Sequence, residues 1–166
     1  MMSSILTKFI EHRVAKYFNF RQHVIVPNLS WGITHGGGHG HEMDLAVITK
    51  SGYLYEIEIK ISKSDLKKDL EKKHHHQSDK VSRLFFAIPD YLVKSSELIP
   101  LNAGIITVRY DKALIIRNSK VQDVQKLTDK EIMNICRLGN MRIWGMREKE
   151  INKNMDTIKS LLVGGR

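Results

Sequence analysis

Apolar residues recur at helical spacing at the start of the chain. Ile5, Leu6, Phe9, Ile10, Val14, Tyr17 and Phe18 form one stripe, and Ser3 or Ser4 can cap the helix they predict. A short extended piece, His23 to Val26, stops at Pro27. Residues 32–41, Gly-Ile-Thr-His-Gly-Gly-Gly-His-Gly-His, are too rich in glycine for a regular element and read as a mobile loop. Asp44 to Thr49 and Tyr53 to Ile61 predict two strands around Lys50-Ser51-Gly52. Ser62 or Ser64 then caps a helix running to about His74. Further strands are expected at Arg83 to Ile88, ended by Pro89, and at Ala103 to Tyr110 and Ala113 to Arg117, a hairpin around Asp111-Lys112. Thr128 with Glu131 forms a capping box for a helix, and a last charged helix spans roughly 147–162. This order predicts one α/β domain over 1–166, a mixed sheet flanked by helices, with its core at about 5–118 and a helical extension at about 127–162.

The segment from Tyr53 onward separates into two faces at a period of two. Tyr53, Tyr55, Ile57, Ile59 and Ile61 make an apolar face; Leu54, Glu56, Glu58, Lys60 and Ser62 make the other. A half-solvated strand would show the same alternation, so its charged face alone decides nothing. The preceding strand, Leu-Ala-Val-Ile after Asp44, is apolar on both faces and reads as interior, where an Asp needs a partner. A three-residue loop, Lys50-Ser51-Gly52, sets Ile48 against Leu54, Ala46 against Glu56 and Asp44 against Glu58. A two-residue loop would send Asp44 to the opposite face. Gly52 favours the longer loop, which ends in a left-handed residue. Two carboxylates roughly 5 Å apart across a strand pair repel unless a cation lies between them. Mg²⁺ suits a few carboxylate oxygens plus waters, and Lys60 on the same face can orient a water or stabilise developing negative charge. On this reading, removal of one crowded carboxylate leaves stability unchanged or raises it.

Bulk properties narrow the function classes. The chain has 166 residues, 42% hydrophobic and 27% charged, which fits a single globular domain. No apolar run approaches a membrane span, and residues 1–10 lack the pattern of a secretory signal. Cys136 is the one cysteine, so no intrachain disulfide is expected and a cytoplasmic location is the default. A net charge of +9 favours polyanionic partners, nucleic acid first among them.

Asp44 followed by Glu58-Ile59-Lys60 resembles the core motif of the PD-(D/E)xK nuclease superfamily. The stretch HEMDLAVITKSGYLYEIEIKISKSDLKKDLEKKH, His41 to His74, is similar to the core of MmcB-like DNA repair endonucleases, where the Glu-x-Lys strand leads to Ser, an Asp-bearing amphipathic helix and a strand ending in Pro. Arg83 to Pro89 matches that last strand, and the resemblance covers about residues 5–110. Met43 stands where many members have proline, a loosely kept position. The resemblance implies a restriction-endonuclease-like mixed sheet, Mg²⁺ dependence (Mn²⁺ as a substitute) and hydrolysis of DNA. It also implies that Asp44, Glu58 and the Ile59 carbonyl hold the metal while Lys60 serves the attacking water. Some members add a Glu from the first helix, where Glu11 is the acidic residue here.

Other candidates have plainer readings beside the functional ones. Glu56 reads as a neighbour of the site or an ion-pair partner. His35, His39 and His41 lack the fixed four-ligand geometry of a zinc site; their loop is either a simple connection or a lid beside Asp44. Lys63, Lys67, Lys68, Lys72, Lys73 and His74 form either a solvated basic face or a phosphate-tracking surface. Trp144, among Arg137, Arg142, Arg147 and Lys149, reads as a core plug or a stacking platform. The expected function is metal-dependent DNA hydrolysis with little sequence specificity. The alternative is a catalytically inactive nucleic-acid-binding protein of the same fold. A homodimer stays open.

Overall fold

The computed structural model describes residues 2–29, 42–70 and 79–163. Its elements in order are α1 (Met2–Tyr17), β1 (Val24–Leu29), β2 (Met43–Ile48), β3 (Leu54–Ile59), α2 (Lys63–Leu70), β4 (Val81–Pro89), a 3-10 helix (Asp90–Leu98), β5 (Gly104–Val108), β6 (Ala113–Arg117), α3 (Asp129–Lys153) and α4 (Met155–Val163). One six-stranded sheet carries the order β1-β2-β3-β4-β5-β6. The β3-β4 and β4-β5 pairs are parallel and the other three antiparallel, so the sheet is mixed, in a single α/β domain.

Helices cover both faces. On one, Ile10 and Val14 of α1 pack against Leu45, Val47, Ile57, Ile59 and Phe85. On the other, Leu66 of α2 and Leu92 of the 3-10 helix lie over Leu84, Phe86 and Ile88, while Leu127 and Ile135 lie over Ala46, Ile48 and Leu54. Parallel strands within a sheet covered on both sides are buried on both faces. The charged face of β3 follows that rule: Glu56 is 0% and Glu58 2% exposed. The solvated alternative for that face is thereby overturned.

Several boundaries differ from expectation. Helix α1 begins at Met2, so Ser3 and Ser4 lie inside it and do not cap it. Strand β1 runs through Pro27, which pairs with Leu45; β1 is the sheet's edge, where a residue without an N–H is tolerated. Helix α3 continues from Asp129 to Lys153 past Gly139 and Gly145, and a separate helix near residue 147 does not form. Gly139 has a packing reason: a Cβ there would come within 3.1 Å of Val26 Cγ2, so the glycine lets α3 lie close on β1. The 3-10 helix after Pro89 carries no periodic signal long enough to read.

The capping box at Thr128 forms as expected, with the Glu131 carboxylate accepting from the Thr128 N–H at 2.7 Å and the Thr128 hydroxyl at 2.8 Å. Burial works to raise the Glu131 pKa, but these hydrogen bonds and the Lys80 ammonium at 3.2 Å bring it below its ordinary value. A lowered carboxylate pKa stabilises the fold above the unfolded value, and the gain disappears as pH falls through the folded one. Glu131→Gln is therefore expected to cost about 1 kcal/mol at neutral pH. Urea titrations of the two proteins should converge in acid; a gap independent of pH would contradict the charged cap.

Candidate active site at the carboxyl end of the parallel strands

The β2–β3 hairpin sets the site. Leu45 pairs with Ile57, Ala46 with Glu56 and Ile48 with Leu54, so the next step of the register puts Asp44 opposite Glu58. The Gly52 N–H closes the turn onto the Thr49 carbonyl at 2.9 Å, and Gly52 takes φ 85, the left-handed conformation the three-residue loop needs. Because β3, β4 and β5 run parallel, Ile59, Pro89 and Val108 end at one edge of the sheet. Asp44 begins its antiparallel strand at that same edge. Ligands of open α/β sheets collect outside such carboxyl ends.

Each expected site residue has a definite surrounding. The Asp44 carboxylate accepts the Ile59 N–H at 2.7 Å. In an extended strand the N–H and C=O of one residue point to the same neighbour, so the Ile59 carbonyl is directed to the β2 side as well. Lys60 Nζ lies 2.6 Å from Glu58 Oε2 and 3.0 Å from Asp69 Oδ1, and 6.0 Å from the centre of the Phe86 ring. Burial disfavours the Lys60 ammonium, but Glu58 and Asp69 more than offset it and hold its pKa above the ordinary lysine value. Glu11 of α1 is half-buried. Burial raises its pKa, the negative charge of Asp44 raises it further, and Lys8 opposes. Glu11 therefore sits within the electrostatic reach of Asp44.

These surroundings correct one expectation. Asp44 and Glu58 are not two bare carboxylates in mutual repulsion, because one is held by a backbone N–H and the other by a buried ammonium. Removing either leaves a donor behind, so stability should fall rather than rise. Among the described residues, no group of three or more His, Cys, Asp or Glu is placed to hold a metal ion. Two carboxylates that the register sets opposite one another, with a backbone carbonyl beside them, are oxygen donors of the kind a hard cation takes.

The chain has a counterpart among known families. The family model for DNA repair protein MmcB-like matches residues 7–149. The chain belongs to this family. Membership in the MmcB-like family points to a DNA-related role, and the matched span takes in the sheet and most of α3. A solved protein of unknown function from Silicibacter pomeroyi is similar in fold, with TM-score 0.64 and 21% identity, over 85% of this chain and 90% of that one. No curated protein matches the chain.

Around the site, Lys63, Lys67 and Lys68 are exposed on α2, whereas Lys72, Lys73 and His74 lie outside the described residues, as do His35, His39 and His41. Trp144 is 61% exposed with the Arg147 guanidinium 5.5 Å from its ring centre, so it is not a core plug. No helix of the described residues is long and apolar enough to cross a membrane. Sequence reasoning misses Asp69, the second carboxylate on Lys60. The available signal is spacing: Asp69 stands three residues after Leu66, on the helix's inner stripe.

Proposed function

We propose that this MmcB-like chain is a metal-dependent nuclease of the PD-(D/E)xK kind, hydrolysing phosphodiester bonds in DNA with little sequence specificity. The observation that carries this reading is the register that sets Asp44 opposite Glu58, with Lys60 beside them at the carboxyl edge of the sheet. Asp44, Glu58 and the Ile59 carbonyl would hold Mg²⁺ or Mn²⁺, and Glu11, whose pKa the charge of Asp44 helps to raise, is a further candidate. The ion, when bound, supplies positive charge at the phosphate and makes a water more acidic.

The chain's own groups account for the rest. The Ile59 N–H fixes the Asp44 carboxylate in one orientation. Without the ion, Glu58 and Asp69 favour the charged form of the Lys60 side chain. It acts as a donor and positive charge, orienting the attacking water or stabilising negative charge on the phosphate oxygens. The water oxygen gives up a proton as it bonds to phosphorus, one P–O ester bond breaks, and the departing oxygen takes a proton. Glu58 would turn from Lys60, which holds its Oε2 at 2.6 Å, to take the ion through both oxygens.

That same contact favours a second reading. Glu58, Lys60 and Asp69 already compensate one another, as suits a DNA-binding protein that keeps the fold without catalysis. Incubation with plasmid, single-stranded and branched DNA separates the two. Cleavage that needs Mg²⁺ or Mn²⁺ supports the nuclease. No cleavage, with DNA binding equal in metal and chelator, supports the binding protein.

The exposed lysines of α2 are proposed to track phosphate. Lys63→Gln, Lys67→Gln and Lys68→Gln together are expected to lower the salt slope of duplex DNA binding by roughly 0.9 for each phosphate these lysines neutralise. Fluorescence anisotropy across a salt series reads this directly, and an unchanged slope would mark the α2 surface as a solvated face only.

A further inference from the structure

Three buried charged side chains meet between β3 and α2. Glu58 is 2%, Lys60 8% and Asp69 8% exposed. The lysine reaches both carboxylates, at 2.6 and 3.0 Å. Asp69 is carried there by packing. Leu66, three residues earlier, is fixed in the cluster with Leu84 and Phe86, which turns the inner stripe of α2 onto the β3 face. With two carboxylates in reach, the ammonium can give up one and keep the other, and a buried charge left with neither is costly.

We propose that Asp69 is a positioning residue that retains Lys60 on α2 when Glu58 turns to the cation, so that ion and lysine do not compete for one carboxylate. This rests on the nuclease reading. With a divalent ion present the contacts sort into two sets: the ion with Asp44 and Glu58, and Lys60 with Asp69. Without Asp69, Glu58 is the lysine's remaining carboxylate in this cluster, and the ion must displace a buried ammonium to reach it.

The test is Mn²⁺ binding by isothermal titration calorimetry on the full chain, with thermal unfolding in chelator as a check on folding. Asp69→Asn is expected to weaken Mn²⁺ binding about tenfold, which corresponds to about 1.4 kcal/mol. Asp69→Glu, which restores the charge, should recover most of that loss. The same Asn substitution in a Lys60→Gln background should cost much less, because no ammonium remains to compete. Equal losses in the two backgrounds would overturn the inference, since Asp69 would then act on the ion through its charge alone. So would equal losses for Asn and Glu, which would make its role structural; that comparison stands even if the Lys60 variants fail to fold. No Mn²⁺ binding by the unmodified chain would instead sink the nuclease reading itself.

Discussion

Glu58→Gln, Asp44→Asn and Lys60→Met are each expected to reduce Mg²⁺-dependent DNA cleavage by about 10²-fold or more. The magnitude is that of removing one preorganised group which stabilises charge in the transition state. The substitutions are chosen close to isosteric because all three residues also hold the fold. Asp44 accepts the Ile59 N–H at 2.7 Å, and an Asn can keep that bond through its carbonyl while losing the charge. Gln at 58 keeps a polar contact with Lys60 but no longer carries a formal charge for the ion. The three defects should not multiply, since the groups act as one unit. Single-turnover cleavage of a labelled duplex, with circular dichroism to verify folding, measures the effect. Retention of full activity in any one folded variant would remove that residue from the proposed site.

Lys60→Ala is expected to destabilise the metal-free protein by about 3–5 kcal/mol, the usual cost of stripping one partner from a buried ion pair. Glu58 and Asp69 would each lose an ion-pair partner at 2% and 8% exposure. For a domain whose whole stability is of order 5–15 kcal/mol, this is a large fraction. Millimolar Mg²⁺ should restore part of the loss, because a ligand that binds only the folded state stabilises by about 2.7 kcal/mol at a hundred times its Kd. Urea unfolding in chelator and in Mg²⁺ reads both effects. A change under about 0.5 kcal/mol in chelator, the size typical of surface substitutions, would contradict the buried triad.

The hairpin that builds the site is legible because local rules over-determine it. Gly52 supplies the left-handed end of the loop, and the period of two then carries the register to Asp44 and Glu58 without tertiary information. What lies over that face is not legible. Alternating Glu56, Glu58 and Lys60 look the same whether water or a helix covers them, and only packing of Leu66 and Ile135 onto the sheet decides it. Asp69 is hidden for the same reason, since its ion pair with Lys60 depends on where α2 docks. Pro27 misleads because its effect depends on strand position: it would end an interior strand, yet β1 is the edge. Gly139 and Gly145 look like helix breakers in a sequence, but the capped, docked start of α3 outweighs their small propensity penalty.

Anomalous diffraction from crystals soaked in Mn²⁺ locates the ion independently of any cleavage. A peak is expected between the Asp44 and Glu58 carboxylates, next to the Ile59 carbonyl, with Lys60 drawn away from Glu58. Crystals that show Mn²⁺ only elsewhere, with Lys60 still closed on Glu58, would contradict the proposed site.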